Sequence, residues 1–267
     1  MAALDFKMLM KLEREAFRKQ QGSPQAAPEA PVHVQLREQT TSAPMPRMIV
    51  RSDLETSDYQ TWKIFSAHKN MYEHSVGDIP SIYYSPDAVE DDVVPKLLDY
   101  VERTGNGQAA WIQLKARRLQ CWGDFPKVVS GSSVTDLSAP MPAWLDVMID
   151  SLVEKGVFAP EQRPNNVLIN KYDANEGILH HTDGPAYHDK VAILSLGSEC
   201  IMSFRRKLTS EEIGSEFAGD VCSVVLAPRS LLIFEGDAYS KHMHGIEIDQ
   251  PVQRVEEHGP CANLHLV

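Results

Sequence analysis

At 267 residues the chain is long enough for one large domain, or a domain with an appendage, and for a substantial buried core. Its 43% hydrophobic and 24% charged residues exclude global disorder, and apolar runs such as Val191 to Leu194 and Leu231 to Phe234 fall far short of the ~20 residues that cross a bilayer. Twenty-six Lys and Arg against 37 Asp and Glu leave a formal charge of −11, which confines any nucleic-acid contact to a local patch.

Phe6, Leu9, Leu12 and Ala16 fall at helical spacing among Lys11, Glu13, Arg14, Arg18 and Lys19, and Gly22 and Pro24 end the pattern. This predicts a short charged helix, marginal in isolation. From Gly22 to about residue 75, Pro24, Pro28, Pro31, Pro44 and Pro46 among Gln, Ser, Thr and Ala predict a disordered tail, so the domain is expected over 76–267. Met1 to Gln20 mixes charged and apolar residues and does not read as a signal peptide. Cys121, Cys200, Cys222 and Cys261 are widely and irregularly spaced with no C-x-x-C. An intracellular protein, in cytoplasm and nucleus, with reduced and buried thiols is expected.

Ile82-Tyr83-Tyr84 reads as a short strand closed by Pro86. Asp91 and Asp92 announce a helix with Val93, Val94, Leu97, Leu98 and Val101 on its apolar face, stopped by Gly105. Pro140 and Pro142 announce a second, burying Trp144, Val147, Met148 and Leu152. Beyond Pro164 short apolar runs are cut by turn residues: 167–172, 191–196, 201–204, 221–226 and 231–234. Helices first and an antiparallel sandwich or jelly roll second make an α+β fold. There is no Gly-rich phosphate loop and no β/α alternation.

The densest chemical signal is Gly177-Ile-Leu-His-His-Thr-Asp-Gly-Pro185. In extended chain, residues two apart face the same side, so His181 and Asp183 can offer a ring nitrogen and a carboxylate to one point. A histidine from the later loop, His242 or His244, would complete the two-His, one-carboxylate set that leaves positions open on Fe(II). Surface or hydrogen-bonded histidines without a metal are the plainer alternative. Lys115, Arg117, Arg118 and Lys127, against Asp124, form a basic stretch interleaved with Trp111 and Trp122. It reads either as a backbone-contacting, base-stacking lid or as a solvated loop whose tryptophans pack on the core. Arg205-Arg-Lys207 reads as a strand end.

Several motifs in order carry a resemblance: Asn170-Lys-Tyr172, the Gly177 to Tyr187 stretch, Ser195-Leu-Gly-Ser198, Pro228 to Tyr239 and His244-Gly-Ile246, with the earlier Trp111 to Gly123 and Pro142-Ala-Trp-Leu145. Together they resemble the AlkB family of Fe(II)/2-oxoglutarate dioxygenases, from about Ile79 to Ile246. The resemblance implies a double-stranded β-helix core with flanking helices, Fe(II) held by His181, Asp183 and His244, and 2-oxoglutarate contacted by Asn170 and Tyr172. It implies oxidative dealkylation of a nucleobase, flipped out or single-stranded, with Lys115, Arg117, Arg118 and Trp122 as substrate lid. His180 and His242 fall outside the motif register and read as exposed or supporting histidines.

The family carries an R-V-S-L-T-x-R type strand after its last ligand, whose arginines grip the far carboxylate of 2-oxoglutarate. Here Arg254 is the only arginine after His244, in a different context. This predicts cosubstrate binding weaker by roughly two orders of magnitude and an open sheet edge, with Lys190, Arg229 and Arg254 as conceivable substitutes. A protein hydroxylase on the same scaffold and a catalytically impaired binding module are the rival functions. A zinc hydrolase is disfavoured, since no H-E-x-x-H base is present.

Overall fold

The computed structural model describes residues 59, 62–107, 111–124, 138–208, 222–250, 253, 255 and 261–267. The predicted N-terminal helix, the tail up to residue 58, Lys127 and Arg254 lie outside the described residues. Chain order runs β1 (His74–Ser75), β2 (Ile82–Ser85), α1 (Val94–Gly105), β3 (Ile112–Gln113), β4 (Arg118–Gly123) and α2 (Ala143–Glu154). It continues through β5 (Asn166–Lys171), β6 (Ile178–His181), β7 (Lys190–Leu194), β8 (Cys200–Arg206), β9 (Cys222–Leu226), β10 (Leu231–Glu235), α3 (Gly236–Lys241) and β11 (His242–Ile246). No described helix is long and apolar enough to cross a membrane.

The strands form mostly antiparallel sheets with few helices, in the orders β1-β2-β10-β7, β6-β11-β8-β9 and β3-β4-β5. Strand alternation explains the layering. Leu232 and Phe234 of β10 point into one core with Phe204 of β8 and Val224 of β9, and the Phe204 and Phe234 rings meet edge-on at 5.4 Å. Leu231 and Ile233 point the other way, onto Leu97 of α1 and Trp144, Leu145 and Leu152 of α2. The first sheet therefore lies between the second sheet and a helical layer.

Two predictions need correction. Residues 62–75, assigned by composition to the tail, pack into the helical core: Ile64, Phe65 and Met71 are buried. Their apolar side chains are few and follow no period, so a compositional window averages them away. Leu98, predicted on the apolar face of α1, is exposed, because the face turned to the core centres on Leu97.

The C-terminal residues cover the β9 edge of the second sheet. Cys261 bridges Ser223 in parallel, and the Ala262 N–H donates to the Ser223 carbonyl at 2.8 Å. The Asn263 side chain behaves as a peptide group, accepting from the Val225 N–H at 2.9 Å and donating to the Val225 carbonyl at 2.8 Å. Gln253 does the same on β8, accepting from Ile201 N–H at 2.7 Å and donating to its carbonyl at 3.3 Å. Asn263→Ala leaves a buried N–H and C=O of β9 without their partner, so denaturant unfolding should show a loss of about 1–3 kcal/mol. An unchanged midpoint would mean this edge contributes nothing to stability.

Candidate metal and cosubstrate site

The site grows from one strand pair. β6 and β11 pair antiparallel with His181 directly opposite His244, and a register shift follows between His244 and Ile246. Two glycines permit this approach. A Cβ at Gly177 would stand 2.5 Å from the Ile246 carbonyl oxygen, and one at Gly245 would stand 2.9 Å from both the His180 nitrogen and the Ile178 oxygen. Bare backbone here lets the imidazoles sit with ring centroids 4.5 Å apart. Asp183 joins from the turn after β6, with Oδ1 at 3.8 Å from His181 Nε2 and 3.9 Å from His244 Nε2. These are the only three such groups, among the described residues, that converge within 4.8 Å.

The donor chemistry fits a metal. Burial drives the pKa of both histidines down to about 3, with mutual repulsion adding to the effect at His181 and the His180 and Lys207 charges adding at His244. Both rings are therefore neutral, the state that ligation needs. His181 Nδ1 lies 2.8 Å from the Leu179 carbonyl, which fixes the proton on Nδ1 and leaves the Nε2 lone pair facing Asp183. Two donors of one ion stand ~3 Å apart, so Asp183 Oδ1 would have to close on each imidazole by less than an ångström. The donor set is the two-His, one-carboxylate kind.

His180 and His242 are engaged elsewhere: His180 Nε2 lies 2.7 Å from Ser203 Oγ, and His242 Nδ1 lies 3.0 Å from the Asp237 carbonyl. The Asp183 turn is held by the Tyr239 hydroxyl, which donates to the Gly184 carbonyl at 2.7 Å. Tyr187 was missed by sequence reasoning; burial pushes its pKa up to about 12, and the Asp183 charge adds to that. Lys207, read as a strand end, also lies within electrostatic reach of Asp183. The pairing of β8 with β11 and of β11 with β6 brings it there, and no local pattern announces that.

Asn170 lies in β5 and Tyr172 just beyond its end, on the side turned to the central core. The β4–β5 ladder pairs Leu119 with Asn170 and Cys121 with Leu168, and Leu119, Cys121, Leu168 and Tyr172 all pack on that core. Asn170 Oδ1 is buried without a hydrogen-bond partner among the described residues. A side-chain amide can turn to present its NH2 instead, so this orphaned group fits a buried carboxylate as ligand.

The predicted lid is not a single surface. Lys115 is exposed, but Arg117 and Trp122 are fully buried. Trp122 faces the helical core and donates through Nε1 to Gln120 Oε1 at 3.0 Å, so it offers no face to a base. Period-two alternation buries it, a signal hidden by the surrounding charges. Arg118 remains at the surface, paired with Asp173 at 3.3 Å and set 5.8 Å from the Trp111 ring centroid. Lys171, another residue the sequence reading passed over, lies 5.9 Å from the same centroid and pairs with Glu102.

Residues 129–261 match the 2OG-Fe(II) oxygenase superfamily. The chain is 34% identical over 170 residues to the "Probable RNA/DNA demethylase ALKBH6" of Danio rerio, spanning 62% of this chain and 69% of that protein. It is 30% identical over 174 residues to the "tRNA (carboxymethyluridine(34)-5-O)-methyltransferase ALKBH8" of Macaca fascicularis, covering 63% of this chain but 24% of the relative. The solved structure of OsALKBH1 aligns at 15% identity with a TM-score of 0.47, over 63% of this chain and 86% of that one. The chain belongs to the 2OG-Fe(II) oxygenase superfamily, among the AlkB homologues, and is an Fe(II)- and 2-oxoglutarate-dependent dioxygenase.

Proposed function

We propose that the chain removes an alkyl group oxidatively from a nucleobase of DNA or RNA, with His181, Asp183 and His244 holding Fe(II) and Asn170 and Tyr172 contacting 2-oxoglutarate. The convergence of His181, Asp183 and His244 within 4.8 Å carries this reading. The relatives described as a probable RNA/DNA demethylase and a tRNA-modifying enzyme support a nucleic-acid substrate. Two antiparallel sheets sharing one core support a double-stranded β-helix. Four free cysteines, three of them buried, support a cytoplasmic and nuclear location.

When bound, Fe(II) and 2-oxoglutarate together supply the power to reduce O2, yielding succinate and CO2 and hydroxylating a C–H bond of the substrate. An N-methyl group so hydroxylated becomes a hemiaminal that releases formaldehyde. The chain's own residues set the geometry. The Leu179 carbonyl fixes the His181 tautomer, the Tyr239 hydroxyl fixes the Asp183 turn, and Phe204 and Phe234 pack within 6.3 Å of the His244 ring and keep water from it. Trp111, Arg118 and Lys171 form the surface where a nucleic-acid backbone would run.

The test is anaerobic titration of Fe(II) and 2-oxoglutarate, following the weak visible charge-transfer band of the ternary complex, with His181→Ala as control. A band lost in the variant is the expected result. No band from folded, iron-binding protein would replace the dioxygenase reading with a binding module. Formaldehyde release from methylated single strands but not from peptides then separates the demethylase from a protein hydroxylase.

A further inference from the structure

The pairing of β6 with β11 is uneven. His181 stands opposite His244 and Ile178 opposite Ile246, so two residues of β6, Leu179 and His180, face the single Gly245 of β11. Such a β-bulge re-aims side chains and recurs beside functional sites. Its flanking residues turn inward: Ile178 joins the central core, and the His181 ring meets the His244 ring. The two bulged side chains turn outward instead. Leu179 stands in solvent, and His180 reaches over β11 to β8, where its Nε2 shares a hydrogen bond of 2.7 Å with Ser203 Oγ. Ser203 lies between Met202 and Phe204, which both face the central core, and so projects from the opposite face of the sheet. Gly245 pairs directly with Ser203 and leaves the path across β11 free of a side chain. The bulge also swings the Leu179 carbonyl to within 2.8 Å of His181 Nδ1. In a regular strand carbonyls lie in the sheet and side chains stand out of it, so the bulge is what brings these two groups together.

We propose that His180 is a positioning residue for His181, a role that rests on reading His181, Asp183 and His244 as the iron site. Its hydrogen bond to Ser203 pins the bulge, and the pinned Leu179 carbonyl holds the His181 ring with Nε2 toward the metal. The pin crosses β11, so it ties together the two strands that carry the imidazole ligands and anchors both to β8. Ser203 is buried, which shields the bond from competing water. A carbonyl that accepts from the ring N–H of a ligating histidine sets its tautomer and orientation, and loss of such support typically costs about 10–100-fold in metal affinity. His180 acts one step further out, through the backbone, which places its effect at the lower end of that range.

The test reads the His181 tautomer in the metal-free full chain, by long-range proton–nitrogen NMR of the imidazoles at neutral pH, and Mn(II) affinity by calorimetric titration. Wild type should show His181 protonated on Nδ1, and Ser203→Ala and His180→Leu should each turn it into a mixture of tautomers. Both variants should bind Mn(II) about 10-fold more weakly. The double variant should bind no more weakly than either alone, because each change removes the same hydrogen bond. His180→Gln, whose amide can still reach Ser203, should restore both signals. Ser203→Ala decides the matter if His180→Leu does not fold. An unchanged tautomer or an unchanged Mn(II) affinity in Ser203→Ala would overturn the proposal, whether or not the melting temperature falls, since a fall alone is what a merely structural pair gives. If wild type binds no Mn(II), the iron-site reading fails and the proposal with it; if wild type binds and the variants bind as tightly, the role of His180 alone fails.

Discussion

Asp183→Asn is expected to lower Fe(II) affinity by about 100-fold or more and to abolish decarboxylation of 2-oxoglutarate, while the metal-free protein unfolds at the same temperature as wild type or slightly higher. The two halves of this result have different causes. Asp183 is the one anionic donor of the set, and an amide oxygen in its place lacks the charge that balances a divalent ion. In the metal-free chain the same charge is a burden, because desolvation raises the Asp183 pKa more than the neighbouring charges of His181 and Lys207 lower it. Both imidazoles beside it are neutral at pH 7 and offer little compensation. Thermal melts with and without Mn(II) distinguish the cases: wild type should gain stability on adding metal, and Asp183→Asn should not. If Asp183→Asn instead destabilises the metal-free protein by several degrees, the triad is a structural ion-pair cluster.

The convergence of His181, Asp183 and His244 was legible in the sequence because it depends on local order. H-x-D at the end of β6 lets two donors face one side, and the histidine before Gly-Ile lies in the middle of β11, the neighbouring strand of the same sheet. The strands themselves were legible as apolar runs between turn residues, and 201–204 and 231–234 fall inside β8 and β10. What was not legible depends on neighbours distant in sequence. Ile64, Phe65 and Met71 look like sparse apolar residues in a polar stretch until α1 and α2 are packed over them. Asn263 and Gln253 acquire their role as side-chain substitutes for a strand only when β8 and β9 present backbone groups to them. The basic stretch misled for a related reason, since charge counting treats consecutive residues alike whereas a strand turns them to opposite faces. Arg117 points to the central core and Arg118 to solvent, though they are adjacent.

That alternation makes Trp122 the sharpest test of the corrected lid. Trp122→Ala should cost about 3–5 kcal/mol in stability, read as a lower midpoint in chemical denaturation with little change in slope. Trp122 is fully buried between β4 and the helical layer, in a cluster with Trp144, Leu145 and Leu97, and truncation would open a cavity that a sheet flanked by two helices cannot easily close. The lost indole also strands Gln120 Oε1, the acceptor of its 3.0 Å hydrogen bond, in a buried setting. Trp122→Phe keeps most of the volume but loses the hydrogen bond, so its penalty should fall well below that of alanine. A base-stacking tryptophan would behave the other way, with stability untouched and affinity for single-stranded oligonucleotide falling by the ~1–3 kcal/mol of one stacked base. Trp111, half-buried and flanked by Arg118 and Lys171, is the residue expected to show that loss of oligonucleotide affinity, so the paired measurement on Trp111→Ala and Trp122→Ala separates binding surface from core within one sheet.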